Sequence, residues 1–158
     1  MDLDQHGAEE IGRDPFHTAL DPADILLTGK VAVVTGAGGG IGQGIALGLA
    51  RFGVDVAVLD IDGDRAERTA AAVRELGRTA LPFPVNVMEG DRIRDAVEQT
   101  AGELGRIDIL VNNAGGVRAG FFLEQSERSW RRHIEINLMS MLVGTAAAAP
   151  HIKAAGGG

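Results

Sequence analysis

Residues 30–53 read KVAVVTGAGGGIGQGIALGLARFG, and the fold is read from this stretch. Val31–Thr35 is a short β-branched run with no polar alternation, the pattern of a strand covered on both faces. Ile41, Ile45, Leu49 and Phe52 then recur at helical spacing, and Gly53 stands where a helix ends. Between strand and helix lies a turn with four glycines in five residues, Gly36-Ala37-Gly38-Gly39-Gly40. Strand, glycine turn and helix in that order make the first half of a βαβ unit.

The same alternation continues outward. Val54–Asp60 reads as a second strand, and Asp62–Leu76 as a helix closed by Gly77. Thr79–Val87 reads as a third strand, and Pro82 and Pro84 send it to a sheet edge, where a missing N–H is tolerated. Asp91–Leu104 is a helix stopped by Gly105, and Ile107–Asn112 a fourth strand. Ser126 is positioned to cap a helix from Glu127 through Ala149, with a bend, that Pro150 kinks or ends. Short connections and strict alternation predict an α/β fold: a Rossmann-like, doubly wound parallel sheet of about four strands. Residues 28–158 form this portion, and 1–27 are expected to be an acidic N-terminal arm.

Composition removes several function classes. The chain has 158 residues, no Cys and no Tyr, and its only lysines are Lys30 and Lys153. Disulfides, thiolate metal sites and cysteine nucleophiles are excluded. The net charge of −7 belongs to the arm, because residues 1–29 carry seven acids against Arg13 alone. No clustered Lys/Arg stripe offers itself to nucleic acid, and no apolar run approaches membrane-spanning length. The start lacks the basic and apolar regions of a signal peptide, so a soluble, cytoplasmic protein is expected. His6, His17, His133 and His151 show no metal-ligand spacing. His133 and His151 are the side chains that could carry a proton, yet they read more simply as polar helix residues.

The glycine turn allows one kind of ligand. A G-x-x-x-x-G-K-[ST] phosphate loop is excluded, since no lysine lies between residues 31 and 152. G-x-G-x-x-G also fails, because no glycine here has partners two and five residues later. G-x-x-x-G-x-G fits at Gly36, Gly40 and Gly42. Such a turn lets backbone approach a pyrophosphate closely, and the following helix N-terminus offers N–H groups and a positive dipole end. Asp60 closes the second strand 20 residues after Gly40. Its carboxylate can accept bonds from both hydroxyls of an adenosine ribose and would repel a 2′-phosphate, which favours NAD over NADP.

These residues resemble the short-chain dehydrogenase/reductase family, of the classical type, from about Leu27 onward. TGAGGGIG (Thr35, Gly36, Gly40, Ile41, Gly42) is similar to the family's cofactor loop, and Asp60 to the acid of its NAD-preferring members. Asn112-Asn113-Ala114-Gly115 matches the family's NNAG motif, which lines the cofactor cleft, and Asn137 matches the helix asparagine that supports its proton relay. Asn86 and Val87 fall where the family has Asp and a hydrophobic residue beside the adenine. An Asn there can still accept a bond from the amino group, without charge assistance. Arg118 and Phe121–Phe122 are expected to border the cleft. Trp130, Ile134, Leu138, Met141 and Leu142 read as a packing face that the resemblance also makes a subunit contact, implying a homo-oligomer.

The resemblance implies hydride transfer between a nicotinamide cofactor and an alcohol or carbonyl compound, with catalysis by Ser, Tyr and Lys. A tyrosine near pKa ~10 needs a nearby cation to exchange protons near neutrality. Neither Tyr nor a suitably spaced Lys is present, and Ser126, Ser129 and Ser140 lack partners of that kind. The chain reaches Gly156–Gly158 where the family's fifth strand would begin, so the expectation is a cofactor-binding portion, inactive alone. Two alternatives are half of a split enzyme and a non-catalytic dinucleotide-binding module. An unpaired apolar edge at Ile107–Val111, broken only by Asp108, favours the first two over the third.

Overall fold

The computed structural model describes residues 25–117 and 119–157; Arg118 and most of the acidic arm lie outside the described residues. The chain alternates β1 (Val31–Thr35), α1 (Gly40–Arg51), β2 (Asp55–Asp60), α2 (Gly63–Glu75), β3 (Ala80–Pro84), α3 (Gly90–Leu104) and β4 (Ile109–Val111). A 3₁₀ turn (Phe122–Glu124), α4 (Glu127–Ile134), a π-helical turn (Glu135–Met139) and α5 (Ser140–Ala154) follow. All pairings are parallel, in the order β3-β2-β1-β4. The doubly wound sheet expected from the alternation is what forms.

β1 is central, and all five of its residues are buried. Alternation within the pleat sends Val34 with Val56 and Val58 to one face, against Ala46 and Ala50 of α1 and Ala70 and Val73 of α2. Val33, Ala57 and Leu59 face the other side, against Ile93 and Val97 of α3 and Ala148 of α5. Val33 and Val34 are each fully buried, and such a side chain contributes on the order of 2 kcal/mol. A charge at either position would leave the sheet without a centre.

The helix ends follow local chemistry. The Asp62 carboxylate accepts the Arg65 N–H at 3.1 Å and caps α2, and Ser126 Oγ accepts the Ser129 N–H at 3.3 Å and caps α4. Gly105, at φ +78°, ends α3 in the left-handed region. β3 lies at an edge with both prolines, as expected, though it spans Ala80–Pro84 rather than 79–87. Leu27, assigned above to the arm, already packs on the core and donates its N–H to Phe52 O at 2.7 Å.

Three expectations are corrected. α1 buries Gly42, Ala46 and Ala50 rather than the stripe of larger side chains. Ile45 and Leu49 reach the margin of the core, whereas Ile41 is 79% exposed; a helix crossing this close to the sheet needs small residues where it touches. Pro150 does not end the last helix, which continues to Ala154. Pro150 and Ala146, whose carbonyl it leaves without an N–H, are both exposed, so water can satisfy that oxygen.

The third correction concerns β4, which is three residues long and half-buried. Asp108 is not an exposed charge blunting its edge. Its side chain is only 8% exposed and sits between Lys30 Nζ at 2.9 Å and Arg106 Nη2 at 2.6 Å, while Oδ2 accepts the Val31 N–H at 3.0 Å. Burial alone would raise the Asp108 pKa. Hydrogen bonds from Arg106, Lys30 and the Val31 N–H outweigh it and hold the carboxyl at about 2. The aspartate ties β4 to the start of β1.

Candidate functional site

In the order β3-β2-β1-β4 the chain direction of assembly reverses between β1 and β4. Loops leaving the carboxyl ends of those two strands diverge there and open a crevice. A cavity of about 350 Å³ occupies it, walled by Gly36, Gly39 and Gly40 after β1, Asp60 and Ile61 after β2, Asn86 and Val87 after β3, and Asn113–Gly115 after β4.

Thr35 joins the two loops from beneath. It is 4% exposed; its Oγ1 accepts the N–H groups of Asn113 and Ala114, both at 3.0 Å, and donates to Val111 O at 3.3 Å. Asn113 Nδ2 returns bonds to Thr35 O at 2.9 Å and Gly36 O at 3.2 Å. These five hydrogen bonds tie the two loops together, so this wall of the crevice is held by the chain's own groups. Gly36 sits at φ +63°, and a Cβ there would come within 2.9 Å of Ala114 Cα. A Cβ on Gly42 would run into the Gly36 carbonyl and Asn113 Nδ2. The wall is therefore bare backbone because both loops and the first turn of α1 crowd the same point.

At the far wall, Asp60 Oδ2 accepts the Gly38 N–H at 2.8 Å and Oδ1 accepts the Asp62 N–H at 3.0 Å. A Cβ on Gly38 would lie 2.6 Å from Asp60 Cγ and 2.7 Å from Arg65 Cβ. The glycine turn thus fixes the orientation of the acid as well as the approach of a ligand. α1 begins at Gly40 with no acid in its first turn, so its positive end is not neutralised.

Of the residues singled out from the sequence, Gly36, Gly40, Asp60, Asn86, Val87, Asn113, Ala114 and Gly115 line this cavity. Thr35 and Gly42 shape its wall from behind, and Ile41 projects into solvent. Asn86 Oδ1 accepts the Met88 N–H at 3.2 Å, while Nδ2 donates to Glu89 Oε1 at 2.9 Å, which fixes the amide. Asn137 lies in the π-helical turn, and such turns often mark functional positions. Its Nδ2 donates to Gly116 O at 2.8 Å and His133 O at 3.0 Å, and Oδ1 accepts the Gly116 N–H at 3.0 Å. Asn137 therefore clamps the loop after β4 to the last helical segment. His151 lies elsewhere, with Nε2 3.0 Å from Glu98 Oε1.

Gly39, Ile61, Arg65, Val85 and Ile136 complete the wall and were not among the site residues read from the sequence. Arg65 lines the cavity beside Asp60, its Nε 3.4 Å from Asp62 Oδ2. Its place five residues beyond the acid hides a closeness that only the turn into α2 creates. Ile136 belongs to the same wall because the π-helical turn rotates it inward; no pattern in HIEINLMS announces an extra backbone residue.

A family model described as short chain dehydrogenase matches residues 30–158. The chain belongs to the short-chain dehydrogenase family. Members bind a nicotinamide cofactor. One curated relative is the 2-dehydro-3-deoxy-D-gluconate 5-dehydrogenase of Escherichia coli (strain K12), 42% identical over 132 residues, which are 84% of this chain and 51% of the relative. A solved 7α-hydroxysteroid dehydrogenase complexed with NADH and 7-oxo glycochenodeoxycholic acid superposes with a TM-score of 0.83 at 33% identity, over 87% of this chain and 54% of its own. Carveol dehydrogenase from Mycobacterium avium, in complex with NAD, gives 0.79 at 31%, over 82% and 52%. The chain spans about half the length of the curated relatives it matches.

Proposed function

We propose that residues 28–158 bind NAD, in preference to NADP, as the cofactor half of an oxidoreductase acting on alcohols or carbonyl compounds. The observation that carries this reading is the Asp60 carboxylate, fixed by the Gly38 N–H at 2.8 Å at the wall of the crevice. The crevice fits a dinucleotide: a Cβ at Gly36, Gly38 or Gly42 would collide with its own walls, so backbone alone faces the ligand. In this reading the Gly36–Gly40 turn and the start of α1 hold the diphosphate. Asp60 accepts bonds from the adenosine ribose, and Asn86 and Val87 border the adenine. Asn113, Ala114 and Gly115 border the remainder. The bound cofactor would supply hydride exchange at its nicotinamide ring.

The proton that accompanies hydride transfer has no donor of the family's kind in this chain. There is no tyrosine, and Lys30 is tied to Asp108 at the opposite end of β1 from the crevice. We assign Asn137 a positioning role through its clamp on Gly116. Proton transfer then depends on residues outside 1–158, carried by a longer product or by a second polypeptide. The reading extends to a cytoplasmic protein that self-associates through the face around Trp130. Among the described residues, no helix is long and apolar enough to cross a membrane.

NADH should raise the melting temperature of the purified chain more than NADPH does. Asp60→Ala leaves Arg65 as the sole charged side chain on that wall, so the preference should reverse. Equal responses in the parent chain, or a D60A variant that keeps its NADH preference, would sink the assignment.

A further inference from the structure

A second cavity, of about 570 Å³, lies beyond the Asn137 clamp and shares Ile136 with the dinucleotide crevice. Arg128, Arg132, Ser126, Ser129 and His133 line it, and no carboxylate does. Arg128 and Arg132 stand four residues apart on α4. Like charges at that spacing repel and do nothing for helix stability. The neighbouring Arg131 has an acidic partner, Glu127 at 3.6 Å, whereas neither Arg128 nor Arg132 has one among the described residues. Ser126 Oγ accepts the Ser129 N–H at the capped start of α4, which leaves its own hydrogen for an acceptor in the cavity.

Resting on the cofactor reading above, we propose that this second cavity binds the oxyanion end of the substrate. The substrate class is then a small alcohol or carbonyl compound that carries a carboxylate or a phosphate. Two guanidinium forks and a serine hydroxyl supply planar, charge-assisted donors suited to a carboxylate or phosphate. Because Ile136 is common to both cavities, a molecule anchored by its anion at Arg128 and Arg132 can extend its uncharged carbons past Gly116 toward the dinucleotide crevice. The Asn137 clamp holds the partition between the cavities, so the anchor and the crevice keep a fixed separation.

The test is amide NMR of the full chain titrated with D-gluconate, D-glucose 6-phosphate and the neutral D-glucitol. The two anions should shift the amides of Ser129, Arg132 and His133, and glucitol should not. The anion with the larger effect names the head group. Arg132→Gln and Arg128→Gln should each weaken anion binding by about tenfold, while Arg131→Gln, which removes the same charge outside the cavity, should not. Glucitol binding as strongly as gluconate, or R131Q matching R132Q, would overturn the proposal. NADH added to the same samples reports on Gly38 and Gly40. Silence there sinks the cofactor reading alone, and anion shifts can be scored without it.

Discussion

The two halves of this chain treat their apolar residues differently. From β1 through α3 they find partners within the chain: four of six β2 residues are buried, and Ile93, Ala96 and Val97 of α3 close one face of the sheet. From β4 onward they largely do not. β4 has no fully buried residue, neither has α4, and α5 buries only Ser140, Gly144 and Ala148. Phe121, Phe122, Leu123, Ile134, Leu138 and Leu142 are all exposed. The first half builds a self-sufficient core. The second leaves an apolar surface uncovered among the described residues, in a chain that spans about half the length of the curated relatives it matches. One feature of the second half is nevertheless rigid: the seam from Thr35 through Asn113 to Gly116 and Asn137, closed entirely by hydrogen bonds.

Substitutions can break this comparison. The largest effect is expected at Gly42→Ala, which drives a methyl group into the Gly36 carbonyl where the halves meet. Backbone cannot yield as a side chain would, so the cost should be about 3 kcal/mol. NADH binding should fall with it. Thermal melts and NADH titration check both, and an unchanged melting temperature would mean that the seam is loose.

Next comes Asp108→Asn. A carboxyl held at about 2 against its ordinary 3.8 stabilises the fold by about 2 kcal/mol at neutral pH. The sign follows from the depressed value. The contribution is complete above the unfolded carboxylate range and disappears as pH falls through about 2. Urea unfolding should therefore show the parent chain more stable than D108N at pH 7, with the gap closed near pH 2. A pH-independent gap would assign the effect to packing rather than to the Lys30–Asp108–Arg106 tie.

The smallest effect on stability is expected on the exposed face. Ile134→Lys and Leu142→Lys replace side chains that are 52% and 48% exposed, and each should change the stability of the single chain by no more than about 0.5 kcal/mol. Sedimentation velocity should show them lowering self-association. A loss of stability larger than that of D108N would show that this chain covers the face itself, and the contrast between the halves would fail.

Periodicity and glycine punctuation carried most of the architecture. Val31–Thr35 had to be central because nothing in it tolerates water, and Pro82 and Pro84 had to lie at an edge because they cannot complete a ladder. The glycine turn and the acid at the end of β2 pointed to Gly36, Gly40 and Asp60 as parts of one site, and the family resemblance added Asn113. Those signals are local, or follow from strand alternation, and one sequence suffices for them.

Tertiary structure decided the rest, where two distant backbones meet. That α1 touches the sheet with Gly42, Ala46 and Ala50 instead of its larger residues depends on how closely helix and strand cross. That Asp108 is a buried tie follows from β4 lying beside the start of β1, 77 residues away in sequence. Arg65 reaches the crevice and Ile136 borders both cavities because a helix start and a π-helical turn aim them there. Hydrophobic pattern determines which elements form and which face they bury. The distance between their backbones, a long-range quantity, determines which side chains become the walls of a site.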